Sequence, residues 1–421
     1  MPVPFPPASP ASAHPFRRVS RHVASALAGI LAIAPLEAAS QTPSPAEMWQ
    51  IIQRQSREIE ELRGRQSETD SKVEASVEAI EKAAEPEAGW WRRTSIGGYG
   101  ELHYNGGDAD QLDLHRFVLY VGHRFNDRLR LHSELEIEHA VTGGGEPGEV
   151  EMEQAWLEYD FTPQTSGRAG LFLLPVGILN ETHEPTTFYG VERNRVETNI
   201  IPTTWWEGGA GVSHTWQSGF RFDAQVHGGL DVPTTGANAF RVRNGRQKVA
   251  NSKLRDPALT GRVRYSGLPG IELATTLQHQ FDVTQGDPGD PQTDATLWEA
   301  HLVADRAIAS GVRLGMRALY ARWVLGGTSA AAVGRDEQWG WYVEPSVRFA
   351  TGIGDVGVFA RYSEDDNTAG DDTDSKFGEY VVGANYWIHP DAVLKIDYQF
   401  QRPPKGTKPD DRVNFGLGFR F

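Results

Sequence analysis

The sequence predicts an all-β fold: a 16-stranded antiparallel transmembrane β-barrel that follows an N-terminal helix in a parallel coiled coil. Three observations support this prediction. Short segments alternate apolar and charged residues, these segments are even in number, and an upstream stretch repeats aliphatic residues every seven positions. Such alternation suits strands that separate lipid from water, and a seven-residue repeat is typical of left-handed coiled coils.

Composition narrows the class of protein. The 421 residues include 41 Lys and Arg against 56 Asp and Glu, which gives a net charge of −15, and they include no cysteine. An acidic chain argues against a nucleic-acid partner, because phosphate contacts need clustered cations. Without cysteine the chain has no disulfide, no thiolate metal site and no thiol nucleophile.

Residues 1–40 are predicted to be a secretory signal peptide. Three arginines precede a short apolar run over 23–36, and small residues follow it. A cationic start, a short apolar run and a small-residue exit are the features of such signals. A buried helix in a cytosolic protein is the alternative. Residues 41–46 read as a Pro/Ser linker.

The segment 47–85 is predicted to be a periplasmic coiled coil. Ile52, Ile59, Val73 and Ile80 share one heptad position. The flanking charges can pair only between parallel helices in register, which favours a parallel oligomer. A single amphipathic helix that lies on its own domain is the alternative.

Sixteen candidate strands follow within residues 95–421. In the segment 129–139, Leu131 and Ile137 fall on one face while Glu134 and Glu136 fall on the other. The candidates begin near residues 95, 112, 129, 149, 167, 206, 219, 258, 270, 296, 311, 338, 353, 377, 392 and 412. An even strand count is typical of bacterial outer-membrane barrels.

The connections and the strand ends also fit such a barrel. Long connections, around 140–149, 233–257, 282–295 and 364–376, alternate with short ones, so we expect tight turns toward the periplasm and long loops outward. Tryptophans near predicted strand ends are expected in interfacial girdles: Trp90, Trp91, Trp205, Trp206, Trp298, Trp323, Trp339 and Trp387.

The last strand carries a further signal. It alternates aromatic and polar residues and stops on Phe421. An exposed edge of this kind would aggregate, so we expect it to pair with the first strand and close the barrel. A terminal phenylalanine here is also predicted to be an assembly signal that the outer-membrane insertion machinery reads.

The sequence gives no sign of an enzyme. His183-Glu184 is followed by Pro185 and lacks a second histidine four residues on, so it is not a zinc-protease motif. Nucleophile-elbow and phosphate-loop motifs are absent as well. We therefore predict no catalytic residue, no metal and no cofactor.

The segment 177–204 is predicted to be a constriction loop. It lies between two candidate strands, lacks their alternation, and is long enough to be functional or disordered. Its aliphatic and aromatic residues argue against disorder, so we expect it to fold into the barrel and narrow it. Its candidate site residues are Glu181, His183, Glu184, Glu192, Arg193, Arg195 and Glu197.

The chain resembles the phosphate-selective porin O/P family. The similarity is carried by GGYGELHYN at 97–105, by DLHRFVLYVGHRFNDRLRLHSELEIEHA at 113–140, and by the loop that follows. The resemblance implies a homotrimeric, water-filled channel of sixteen strands whose long third loop constricts the lumen. Phosphate-selective members concentrate lysines at the constriction, whereas the loop of this chain contains none.

The predicted function is therefore an outer-membrane porin, with the coiled coil in the periplasm, that lets small hydrophilic or anionic solutes diffuse passively. Its fixed lumen charges should set ion preference. The predicted pore-lining residues are Arg116, Arg124, Arg130, Glu134, Glu136, Arg221, Asp223, Arg262, Arg264, Arg313, Arg317, Arg348 and Lys395.

Three alternatives stay open at this point. One is a channel selective for phosphate or polyphosphate. Another is a tether in which the coiled coil grips peptidoglycan and the barrel serves only as its anchor in outer-membrane lipid. The third is a hydrolase embedded in the barrel. We expect the four glutamates and two arginines of the loop to govern ion preference, unless they pair with wall residues and hold the loop in place.

Overall fold

The computed structural model describes residues 89–108, 110–287 and 292–421. Within these residues sixteen antiparallel strands form a closed barrel, in which each strand pairs with its neighbours in the chain and the first strand pairs with the last. This arrangement confirms the predicted barrel. The predicted signal peptide, linker and coiled coil lie outside the described residues.

Every strand begins within two residues of its predicted start. The strands are β1 (Thr94–Asn105), β2 (Gln111–Arg124), β3 (Leu129–Glu138), β4 (Val150–Thr162), β5 (Thr165–Leu173), β6 (Trp206–Thr215), β7 (Phe220–His227), β8 (Ala258–Leu268), β9 (Ile271–Gln280), β10 (Ala295–Ala309), β11 (Val312–Leu325), β12 (Glu337–Thr351), β13 (Gly354–Asp366), β14 (Phe377–His389), β15 (Ala392–Arg402) and β16 (Arg412–Arg420).

The two faces of the barrel wall have opposite character. Leu259 on β8 and Leu277 on β9 point outward and are 50% and 54% exposed. Their chain neighbours Thr260 and Gln278 point inward and are buried. An apolar exterior and a polar interior are what a barrel in a bilayer requires, and the reverse of a soluble sandwich. Among the described residues we find no helix with the length and apolar content needed to cross a bilayer.

Short and long connections alternate around the barrel, as predicted. Even-numbered strands are followed by tight turns, such as 352–353, and odd-numbered strands by longer loops, of which 174–205 and 228–257 are examples. The loops hold two short helices, α1 (Val196–Asn199) and α2 (Thr328–Ala331), and a 3₁₀ turn at Val242–Gly245; another 3₁₀ turn, Trp90–Arg93, precedes β1.

The closing seam joins β1 to β16. Gly98 and Phe421 each donate a backbone N–H to the other's carbonyl at 2.9 Å. The Phe421 ring also stacks on Phe117, with ring centroids 6.0 Å apart. The predicted role of Phe421 in assembly stays a prediction.

Several tryptophans do not lie where the sequence suggests. Trp205 and Trp323 are fully buried, with ring centroids 6.2 Å apart, and Trp387 is 4% exposed on the inner face of β14. Trp298, at 48% exposed, does face outward. Trp206, like Trp387, is 4% exposed and donates its indole N–H to the Lys248 carbonyl at 3.3 Å. The girdle prediction is therefore wrong for these four buried residues, because the loops 174–205 and 228–257 provide packing and hydrogen-bond partners for them.

Candidate functional site: the barrel lumen and its inner loop

The inner loop, residues 174–205, lies against inward-facing side chains of distant strands. Lys395 on β15 donates to the Gly190 carbonyl at 2.8 Å, and Trp387 donates its indole N–H to the Thr186 carbonyl at 3.1 Å. On the opposite part of the wall, Thr276 on β9 donates to the Pro175 carbonyl at 3.0 Å. The loop therefore crosses the lumen rather than extending into solvent.

One half of the loop forms an apolar core with the wall. Ile178, Ile200 and Ile201 pack with buried residues of β10, β11 and β12, among them Trp323 and Tyr342. Trp323 also donates its indole N–H to the Ile200 carbonyl at 2.9 Å. These contacts pack this part of the loop against strands β10 to β12.

The other half of the loop borders a cavity of about 240 Å³. Its lining includes wall carboxylates: Glu101 on β1, Glu138 on β3, and Glu151 and Glu153 on β4. It also includes residues of the loop, with Arg243 and Arg246 from the connection 228–257. The cavity therefore has charges of both signs around an aqueous space.

Most wall carboxylates already have a cationic partner. Arg116 on β2 contacts Glu101 at 2.8 Å and Glu136 at 3.3 Å. Glu101 also contacts His103 at 3.1 Å, while Glu151 pairs with Lys248. The charges of Glu101 and Glu151 are therefore largely balanced, whereas among the described residues Glu138 has no ion pair and Glu153 has only that with His183, at 3.4 Å.

Three arginines that line the same cavity lack such partners. Arg193, Arg243 and Arg246 form no ion pair within residues 89–108, 110–287 and 292–421. Their hydrogen bonds go instead to Thr204 Oγ1 at 2.8 Å and to backbone carbonyls of Thr198 and Thr204. Burial lowers the pKa of Arg243 and Arg246, and the charge of Arg243 lowers the pKa of Arg246 further. This trio therefore adds positive charge to the cavity lining that no carboxylate of the described residues contacts at ion-pair distance, although the charges of Glu151 and Glu153 act on Arg246.

The predicted loop residues occupy different environments. Glu192 and Arg193 line the cavity. Glu181 pairs with Arg262, and Arg195 pairs with Asp365 at 2.9 Å on top of the Phe377 ring. Glu184 is half-buried, and His183 and Glu197 are buried. Of the four loop glutamates, Glu192 therefore lines the cavity, whereas Glu181 pairs with a wall arginine and Glu197 is enclosed, as in the alternative that such residues hold the loop in place.

Glu192 is held ionised by its neighbours. Its carboxylate contacts His103 Nδ1 at 3.0 Å and accepts from the Asn105 amide at 2.9 Å. Burial alone would raise the pKa of Glu192, but the contacts with His103 and Asn105 lower it to about 2.

The predicted pore-lining residues lie on the inner face of the wall, and the structure pairs many of them with acids on adjacent strands. Arg130 contacts Glu158 and Asp160, Arg264 contacts Glu272, and Arg348 contacts Asp355. Of these residues only Arg116 borders the described cavity. The others on the inner face are Arg124, Glu134, Glu136, Arg221, Asp223, Arg262, Arg313, Arg317 and Lys395.

Several site residues are missing from the sequence prediction. Arg243 and Arg246 belong to the long connection 228–257, where the basic run RVRNGR at 241–246 is the signal that could have found them. Arg361, on the inner face of β13, is 3% exposed and pairs with Glu344 at 3.0 Å. One further group, Glu134, Glu153 and His183, brings possible metal-ligating atoms within 4.8 Å of one another.

Comparison with known proteins extends the description of the fold. The anion-selective porin of Comamonas acidovorans superposes with a TM-score of 0.52 at 13% identity, covering 78% of this chain and 99% of that one. The outer-membrane channel DcaP of Acinetobacter baumannii gives 0.51 at 14% identity, covering 78% and 97%. The chain has the porin fold. OmpF of Salmonella typhi, solved with daunomycin, shares it at the same TM-score, identity and coverage as DcaP.

Sequence comparison adds less. No family model matches the chain. An uncharacterized protein of Aquifex aeolicus (strain VF5) is 54% identical over 123 residues, which are 28% of this chain and 28% of that protein. The match thus spans little more than a quarter of that relative. At identities of 13% and 14% the porin likeness is one of fold.

Proposed function

We propose that this protein is an outer-membrane porin, a water-filled channel through which small hydrophilic solutes, preferentially anions, diffuse passively. The observation that carries the proposal is the charged cavity between the inner loop and the wall of a closed barrel with an apolar exterior. A lumen narrowed by an inner loop selects solutes by size, and fixed charges at the narrow point select them by sign. In this proposal residues 177–204 are the constriction loop.

The preference for anions follows from the unequal pairing of charges. Wall acids such as Glu101 and Glu151 are balanced by cations, whereas Arg193, Arg243 and Arg246 have no carboxylate partner in the described part of the chain. An anion in the cavity would therefore be attracted by these three arginines, while the cationic partners of Glu101, Glu151 and Glu192 reduce the repulsion from those carboxylates. Phosphate is one such anion, although the loop carries no lysine.

The resemblance noted above also implies a homotrimer, and we include that state in the proposal. Cross-linking and native mass measurement of the full chain in detergent would test it. A barrel that is monomeric at all concentrations would remove the trimer and leave the channel in place.

Conductance of the purified full chain in planar lipid bilayers tests the channel itself. We expect stepwise currents, and we expect larger steps when residues 177–204 are replaced by a four-residue turn, since the obstruction is then removed. Shortening the connection 367–376, which does not border the cavity, is the matched control and should leave the steps unchanged.

The contrary results are equally specific. A folded barrel that carries no current, with or without turnover of lipid or ester substrates, contradicts the porin. Equal conductance before and after the replacement of 177–204 would mean that this loop does not limit the flow of ions.

A further inference from the structure

A buried group of three side chains joins the inner loop to the wall. Glu134 lies on β3, Glu153 lies at an irregularity of β4, and His183 lies on the loop. Each side chain is at most 3% exposed. Two carboxylates and an imidazole thus meet at one buried point beside the cavity that Glu153 lines, where bare negative charge would be costly.

The facing atoms of this group have no hydrogen-bond partner. His183 Nε2 lies 3.4 Å from Glu134 Oε1 and 3.4 Å from Glu153 Oε2. Within the described residues none of these three buried atoms forms a hydrogen bond. Buried polar atoms nearly always have hydrogen-bond partners, so three atoms that lack them and contact one another, at 3.4 Å from His183, leave a common point that a shared cation would fill.

Neighbouring groups hold the ligand atoms in position. His183 Nδ1 lies 3.2 Å from the Asn180 carbonyl, to which it can donate, so that the Nε2 lone pair faces the carboxylates. Gln154 donates to the other oxygen of Glu134 at 2.6 Å, and Trp156 donates to Gln154 at 3.1 Å. Metal-binding histidines and carboxylates are typically oriented by such outer hydrogen bonds.

The separations suit a small tetrahedral ion. Zinc bonds to imidazole nitrogen and carboxylate oxygen are about 2.0–2.2 Å long, so two ligand atoms of a tetrahedral site lie about 3.4 Å apart. Both distances from His183 Nε2 have this value. Calcium and magnesium prefer oxygen ligands alone, whereas one imidazole with two carboxylates suits zinc and similar transition ions.

We propose that Glu134, Glu153 and His183 bind one divalent cation of the zinc class, which fastens the inner loop to strands β3 and β4. The rival occupant of the same point is a proton on Nε2, which would make His183 an imidazolium between two carboxylates. Binding of the ion does not depend on whether the lumen conducts.

Metal content tests the proposal directly. The full chain, purified in detergent and stripped with a chelator, is dialysed against zinc chloride and analysed by mass spectrometry of the metal. We expect one zinc per wild-type chain, and an affinity at least about 100-fold weaker for Glu134→Gln and Glu153→Gln, because each loses a ligand.

Glu299→Gln is the matched control. Glu299 is also buried beside a histidine, but His301 Nδ1 lies 2.7 Å from its Oε1 in an ordinary hydrogen bond. This variant should keep zinc with an affinity within about twofold of wild type. Retention of zinc by Glu153→Gln at wild-type affinity, or no retention by the wild type, overturns the proposal and favours the proton.

Two further measurements show whether each variant is folded and whether the bound ion is at this site or adventitious on the surface. Circular dichroism must show the same β-barrel spectrum for all variants. Cobalt substituted for zinc should give the intense visible absorption of four-coordinate cobalt in wild type and in Glu299→Gln only. Weak six-coordinate absorption in wild type would mean an adventitious surface ion. Because conductance is not read here, failure of this site and failure of the porin proposal are distinguishable.

Discussion

The Tyr342 hydroxyl on β12 donates a 2.8 Å hydrogen bond to the Glu197 carboxylate of the inner loop. The same carboxylate accepts the backbone N–H groups of Ile178 and Leu179, both at 2.6 Å, and the Asn194 amide at 3.0 Å. Glu197 is fully buried. A single carboxylate thus ties both ends of the loop to each other and to the barrel wall.

Glu197→Ala should therefore weaken the loop rather than change ion preference. Four donors would lose their acceptor, and we expect a loss of about 3–5 kcal/mol in the free energy of unfolding. Tyr342→Phe removes one of the four hydrogen bonds and should cost only about 1 kcal/mol. Chemical denaturation in detergent micelles measures both losses. Equal stability of wild type and Glu197→Ala would show that the loop does not depend on this carboxylate.

Gly177→Ala should disturb the hydrogen bonds between the Glu197 carboxylate and the backbone N–H groups of Ile178 and Leu179. Gly177 has a φ of +74°, which favours glycine, and an added Cβ would lie 2.6 Å from Glu197 Oε1. We expect a loss of about 1–3 kcal/mol in the free energy of unfolding. Gly144→Ala, where no atom lies within 4 Å of the added Cβ, is the control and should change stability by less than about 0.5 kcal/mol. Comparable losses of unfolding free energy for Gly177→Ala and Gly144→Ala would contradict the close approach of Gly177 to Glu197.

Replacing Arg193, Arg243 and Arg246 by glutamine should move the channel toward cations. In 0.1 M salt the screening length is about 10 Å, so a fixed charge that lies closer than this to a permeating ion still acts on it. We expect the anion-to-cation permeability ratio to fall roughly tenfold, which corresponds to about 1.4 kcal/mol of lost attraction. Reversal potentials in a salt gradient measure this ratio. Arg128→Gln, in the exposed turn between β2 and β3, is the control. An equal change in the permeability ratio for that variant would mean that Arg193, Arg243 and Arg246 do not set the ion preference.

Glu192 should keep its charge in acid. Its pKa is lowered to about 2 because the favourable contacts with His103 and Asn105 outweigh burial. The stability that these contacts add is present above about pH 4.5, the ordinary glutamate value, and is lost as the pH falls through about 2. The difference in reversal potential between wild type and Glu192→Gln should therefore stay constant from pH 7 to about pH 4. A difference that disappears near pH 4.5 would mean an ordinary, solvated carboxylate.

The sequence by itself determined the barrel. Alternation with a period of two follows from a wall that has lipid on one side and water on the other. Each strand can therefore be recognised from its own residues, as in the segment that contains Leu131 and Glu134. The alternating turn lengths and the long loop between β5 and β6 are equally local features. The same rule placed Arg116, Arg262 and Lys395 on the inner face.

Only the tertiary structure decided which charges meet. Glu197 and Glu192 belong to one loop and carry the same charge, yet one is enclosed by backbone donors and Tyr342 while the other borders the cavity. Arg246 reaches that cavity from a different loop, and His183 meets Glu134 and Glu153 across about 30–50 residues of chain. The loop follows no period, so the partner of each side chain depends on how the loop lies against the wall. Local alternation contains no information about that contact.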